Sequence, residues 1–219
     1  METKYTGFLK GRRELYEKRD KFPMDGDIPV LQFINTVHRR ATDRRKDYLE
    51  NYDAFLDWAY DAKVVEETVY NSLCSESYCY YPETQAIFER ITSFRECFYD
   101  LVICLMKGIA PYPETISNFN TYFEEVKSHR RLNMNGYGML EIWIETHEQI
   151  AFPLWNLIKG AQDFLTAVDG RIIKKCKCGN LFIDQSKNGR RKWCNPATCG
   201  SAYWSKKYYG RKKGLVVVD

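Results

Sequence analysis

A mainly α fold is predicted, with a helical N-terminal domain that includes a small β-hairpin, followed by a short ββα-like C-terminal module. Three observations predict it. Apolar residues recur at steps of three and four along much of residues 28–170. Four of the eight cysteines fall between positions 176 and 199. Charge divides at the same place: residues 171–214 carry thirteen Lys and Arg against one acid, Asp184, a net +12, while residues 1–170 carry twenty against twenty-seven, a net −7. With Asp219 adding −1, the overall +4 conceals a basic module joined to an acidic body. At 219 residues and 44% apolar, the chain can bury one or two ordinary cores. The predicted divisions are an arm over 1–27, a helical body over 28–170, the cysteine module over 171–214 and a tail over 215–219.

The arm is charged and contains Gly11, Pro23 and Gly26, which reads as an extended segment or short helix with a turn. Val30, Leu31, Ile34 and Val37 then set a first helix over Ile28 to Ala41. Asn51 is placed as the N-cap of a second, with Asp53 in its first turn and Phe55, Trp58 and Ala59 inward. A third covers Glu66 to about Ser77. Pro82 opens the longest, where Ile87, Ile91, Phe94, Phe98, Leu101 and Leu105 form one continuous stripe. Pro113 and Glu114 start another, through about Ser128, burying Ile116, Phe119, Phe123 and Val126. Asn135-Gly136 between short runs, then alternation at Leu140, Ile142 and Ile144, predicts the hairpin. The last body helix runs from about Gln149 to Val168 with Pro153 inside its first turns, and Asp169-Gly170 ends it.

Several function classes are disfavoured. The longest apolar run, Leu101 to Met106, is far short of the roughly 20 residues that span a bilayer, and Met1 to Lys10 lacks the apolar core of a secretory signal. A cytoplasmic protein without membrane partners is expected. His147-Glu148 begins like a metalloprotease helix but has Ala151 where the second His is required, and no phosphate loop or Gly-x-Ser-x-Gly elbow occurs. The expectation is a protein that is not an enzyme. Cys97 and Cys104 share one face of the long helix and read as buried thiols; Cys74 and Cys79 have a spacing that could chelate, but with no second pair or histidine nearby they read as core or semi-exposed thiols.

Cys176-x-Cys178, fifteen residues, then Cys194-x4-Cys199 is the arrangement four thiolates need to close a tetrahedral zinc shell. The segment is too short and polar to build its own core, so one structural Zn2+ per chain would replace it. The first pair is tighter than the usual two to four intervening residues. Leu181 to Ile183 and Arg191 to Trp193 are expected to pair around a turn at Lys187-Asn188-Gly189. Asn195 as N-cap and Pro196 at the first position then start a helix to about Arg211. The module's thirteen cations exceed the two or three that a four-thiolate zinc would draw, which favours nucleic acid. Candidate contacts are Lys187, Arg190, Arg191 and Lys192 before the helix, then Ser201, Ser205, Lys206, Lys207, Arg211 and Lys212 on it. Few of these suit base readout, so backbone contact to DNA is the leading expectation. A protein-interaction or RNA-binding module is the alternative.

The run "CGNLFIDQSKNGRRKWCNPATCGSAYWSKKYYGRKK", Cys178 to Lys213, resembles the CGNR zinc finger of bacterial transcription regulators. "VLQFINTVHRR", Val30 to Arg40, is similar to the start of the helical domain that precedes that finger, including its Asn-Thr pair at Asn35 and Thr36. Two departures stand out: the naming motif reads Cys199-Gly200-Ser201-Ala202, lacking the Asn and Arg, and the first cysteine pair is shortened. The resemblance implies a DNA-binding transcription regulator whose helical domain senses a small-molecule effector or dimerises. It makes Asn35, Thr36, His38 and Arg39 candidate ligand-binding residues. The other account of the same positions is a buried Asn bonded to neighbouring backbone and a His at a helix end.

Overall fold

The computed structural model describes residues 22, 24–40, 44–79, 81–144 and 149–212. Most of the arm, the His147-Glu148 pair and the 215–219 tail lie outside them. The first helix is shorter than the apolar spacing predicts. Helix α1 spans Pro29–Asn35, and the chain then extends as β1 (Val37–His38), paired antiparallel with β2 (Lys46–Asp47). The break is local. The Thr36 hydroxyl turns back to the Phe33 carbonyl at 2.6 Å, and the Thr36 carbonyl receives the Tyr48 N–H at 3.0 Å. Val37 is still buried, but as a strand residue.

The other body helices form where their signals lie. Asn51 Oδ1 accepts the Ala54 N–H at 2.9 Å to cap α2 (Tyr52–Asp61), and Phe55, Trp58 and Ala59 are buried. Helix α3 covers Glu67–Cys79 and α4 covers Tyr81–Lys107. The α4 stripe of Ile87, Ile91, Phe94, Phe98 and Leu101 is buried, and α4 packs against α1, α2, α3 and the two helices that follow. These are α5 (Pro113–Ser128) and α6 (Phe152–Ala167, with Pro153 in its first turn). Two expected core positions on α5 are not in the core: Ile116 is exposed and Phe123 half-buried, because they lie at the margin of the face carrying Phe119 and Val126. Cys97 and Cys104 are likewise half-buried. Burial, then the nearby Asp100 charge, pushes the Cys97 thiol up to about 11. Between α5 and α6, β3 (Arg130–Asn135) and β4 (Gly138–Trp143) form the expected hairpin, closing with Asn135 opposite Gly138.

One buried cation ties three elements together. Arg95 of α4 is 2% exposed and grips Asp47 of β2 with both terminal nitrogens, at 2.8 and 2.5 Å, while donating to the Thr36 hydroxyl at 3.0 Å. Replacing it by Met is expected to lower unfolding free energy by about 3 kcal/mol, because Asp47 and Thr36 lose a charged donor that water replaces only in part. Denaturant unfolding measures this; a loss under about 1 kcal/mol would mean that the pair is energetically idle.

In the C-terminal module the strand pairing differs from the expected one. Leu181–Ile183 (β6) pairs with Ile173–Lys175 (β5), and Arg191 to Trp193 form no strand. A ββα order is retained with an earlier first strand. Asn195 caps the next element through the Ala197 and Thr198 N–H groups, a wide turn covers Pro196–Gly200, and α7 runs Ser201–Lys212. Ile173, Leu181 and Ile183 belong to the same buried cluster as α1, α4 and α6, so the body's core continues into the module. Cys176, Phe182 and Cys194 form a second, small cluster beside it.

Candidate metal centre and nucleic-acid interface

The four module cysteines converge. The sulfurs of Cys176, Cys178, Cys194 and Cys199 all lie within 4.8 Å of one another, and Cys194 Sγ is 3.6 Å from both Cys178 Sγ and Cys199 Sγ. Zinc–sulfur bonds of about 2.3 Å place tetrahedral thiolates about 3.8 Å apart, so the cluster fits one zinc ion. The short first pair closes through a tight turn: the Gly179 N–H donates to the Cys176 carbonyl and the Cys176 N–H to the Asn180 carbonyl, both at 2.8 Å. Gly179 has φ +96°, which a side chain would strain, and this lets Cys176 and Cys178 face one site across a single residue. On the other side, Gly200 admits the Trp193 ring; a Cβ there would sit 3.3 Å from it. Without metal, thiol donation from Cys178 and Cys194 holds Cys176 far below the usual thiol range. The same bonds push Cys194 far up and Cys178 up to about 12. The cofactor of this chain is one structural zinc on these four residues.

The body clasps the module through side chains that the sequence does not connect. Asn35 Oδ1 accepts the Leu181 N–H and Asn35 Nδ2 donates to the Leu181 carbonyl, both at 2.8 Å; Nδ2 also reaches the Asp25 carbonyl at 2.6 Å. Two residues on, the Ile183 N–H donates to Asp27 Oδ2 at 2.8 Å. The free edge of β6 is therefore completed by side chains in place of another strand. Asp25, buried, accepts from Asn180 and Asn195 at 3.2 and 3.1 Å, and Cys194 Sγ lies 3.9 Å from it. His38 Nδ1 lies 3.1 Å from Asn180 Oδ1. Of the four residues considered for a ligand, Asn35 and His38 make internal bonds at this joint, Thr36 bonds within the body to the Phe33 carbonyl and Arg95, and Arg39 is exposed with φ +54°. Asp25 and Asp27 are joint residues that the sequence reading missed; the Asp25-Gly26-Asp27 run inside a nominal arm was the available signal.

The cations divide into braces and display. Arg191 is a brace: its guanidinium reaches Asp27, the Ile183 carbonyl at 3.0 Å, the Trp193 carbonyl at 3.0 Å and the Cys194 carbonyl at 2.5 Å. Asp184 shapes the loop before it, accepting from the Ser186 hydroxyl at 2.6 Å and the Arg191 N–H at 3.1 Å. The Ser186 bond, chiefly, holds its carboxyl below the usual carboxylate range. Lys187, Arg190 and Lys192 are exposed on or beside that loop. Along α7, Ser201, Ser205, Lys206 and Lys212 are exposed and Lys207 is half-buried, while the Arg211 side chain lies outside the described residues. Ala202 and Ser201, standing where the motif has Arg and Asn, face solvent. The face between β5, the cysteine turn and α7 is a cleft of about 570 Å³. It is lined by Lys174, Lys175 and Lys177 from the β5 and cysteine-turn segment, by Phe182, Arg191, Lys192 and Trp193, and by Tyr203, Trp204 and Lys207 of α7. Its contribution from β5 also escaped the sequence reading, since that strand was not foreseen. No described helix is long and apolar enough to cross a membrane.

Comparison with known families agrees with this division. The CGNR zinc finger model matches residues 173–212. A second model, ABATE, described as "Putative stress-induced transcription regulator", matches residues 27–168. A search of curated proteins found no match. With residues 27–168 matched and the four-cysteine finger after them, the chain belongs to the ABATE family, and its C-terminal module is a CGNR zinc finger.

Proposed function

We propose that this protein is a non-catalytic, cytoplasmic regulator that holds duplex DNA by its phosphate backbone through the zinc finger. The helical body, alone or as a homodimer, sets the finger's disposition in response to a small molecule. The carrying observation is the surplus of displayed cations: Lys187, Arg190, Lys192, Lys206 and Lys212 are all exposed around one metal-ordered module. A four-thiolate zinc site has a net charge that two or three cations would balance, so the remainder awaits a polyanion. Among the described side chains of α7 no exposed Asn, Gln or Arg is placed for bidentate base contacts, which supports backbone contact over base readout. The body's leverage on the finger would run through Asn35, Asp25 and Asp27.

The test is binding of the full zinc-loaded chain to a short labelled duplex across a salt series. About five phosphate contacts give a slope near −4.5 in log affinity against log salt, a loss on the order of 10²–10³ between 50 and 200 mM. A flat response would sink the backbone-contact reading. Tighter binding to an acidic peptide than to duplex at every salt concentration would favour a protein-interaction module instead.

A further inference from the structure

The cleft on the finger has features that duplex backbone contact does not use. A duplex offers phosphates along a convex surface and hides its base faces in the stack. The cleft is concave, and at about 570 Å³ it falls in the range of small-molecule sites. Its lining holds five lysines and no carboxylate, together with Arg191, whose charge is already met by Asp27. One wall is aromatic: Tyr203 and Trp204 meet edge to face at 5.4 Å between ring centres, and Trp193 lies 4.8 Å from Tyr203. Lys207 Nζ stands 5.6 Å from both the Tyr203 and Trp204 ring centres, and Lys177 Nζ 5.3 Å from that of Tyr203.

Trp204 is the informative residue. It is 61% exposed, at the mouth of a cleft, on a helix whose inner side already packs through Tyr203. A fixed indole at that exposure contributes little to the finger's own small core. A ligand with charge alone would need only the lysines, and a neutral ring would need only the aromatics. A nucleotide that is not base-paired presents both at once: a planar face to stack on the indole and a phosphate a few ångströms away for the lysine side.

We propose that the cleft binds one unpaired nucleotide, its base stacked on Trp204 and its phosphate against Lys174 and Lys177. The site takes that chemistry from an unpaired stretch of a DNA strand or from a free nucleotide. The proposal deepens the nucleic-acid reading above and rests on it for the source being a strand. In the strand case the finger favours DNA with locally unpaired bases over continuous duplex.

The experiment compares the zinc-loaded full chain with its Trp204→Ala and Trp204→Phe variants on three probes: a short oligothymidylate, a duplex of equal length, and thymidine monophosphate. Zinc content and helicity of the variants are checked first, and the exposed position of Trp204 leaves both unchanged. Indole fluorescence is expected to be quenched on adding the single strand. Trp204→Ala is expected to weaken single-strand binding about tenfold, Trp204→Phe to recover most of it, and duplex affinity to move less than about twofold. Quenching by the mononucleotide but not by the strand keeps the cleft and assigns it to a free nucleotide. Equal single-strand affinity of the parent and Trp204→Ala chains, or an equal loss on duplex and single strand, overturns the proposal. Loss of single-strand affinity in Trp204→Ala alongside a salt-insensitive duplex would remove the duplex reading and leave the cleft. Salt-sensitive duplex binding with an indifferent Trp204 would do the reverse.

Discussion

Cys194→Ser is expected to bind less than about a tenth of an equivalent of zinc and to lose the finger's tertiary structure while the helical body stays folded. Cys194 sits at the centre of the cluster, 3.6 Å from two other sulfurs, and its burial leaves a serine hydroxyl no comparable bond to a soft cation. In small metal modules the binding free energy, of order 10 kcal/mol, is folding free energy. The second cluster of Cys176, Phe182 and Cys194 is too small to substitute for it. Near-ultraviolet dichroism from Trp193 and metal analysis are the readouts, with far-ultraviolet helicity reporting on α1 to α6. Because Ile173, Leu181 and Ile183 share the body's core, the body's denaturation midpoint should also fall. A variant that keeps a full equivalent of zinc would place the fourth ligand elsewhere.

Asn35→Leu is expected to cost about 3–4 kcal/mol and to release the finger from the body. Its side chain satisfies both main-chain groups of Leu181 and the Asp25 carbonyl, in a site where Asn35 is 2% exposed. Leucine fills the volume but leaves one donor and two acceptors without partners, each costing about 1–3 kcal/mol when buried. Hydrogen exchange at the Leu181 amide should accelerate sharply, whereas exchange within α4, whose apolar stripe is untouched, should change little. A change in stability below about 0.5 kcal/mol would show that the joint opens readily and that the side chain is not its fastener.

Where structure is dictated by local period, it was legible in the sequence. The α4 stripe, the Asn51 cap, the Asn135-Gly136 hairpin and the Asn195-Pro196 helix start were all readable from neighbouring residues. The first helix was overextended because Val37 satisfies a helical step and also a buried strand position. The partner of β6 was misassigned because strand pairing is non-local: the sequence points to the run at Arg191 as the partner, whereas the strand at Ile173 is set by packing of Ile173 and Ile183 against the body. The four metal ligands were found by spacing, including the tight Cys176-x-Cys178 pair that Gly179 makes workable. Asn35 was singled out, but its partner lies 146 residues away, so the sequence had no means of telling a brace from a ligand contact. Asp25 and Asp27 were hidden for the same reason.

The most direct measurement is binding of the full chain to duplex DNA in zinc-loaded, metal-stripped and zinc-restored states, at low and physiological salt. Salt-sensitive binding by the loaded chain, its loss on stripping and its return on restoration are the predicted results, since the cations are displayed by a module that the four cysteines order. Equal binding by the stripped and loaded chains would contradict a zinc-ordered finger as the DNA-binding element.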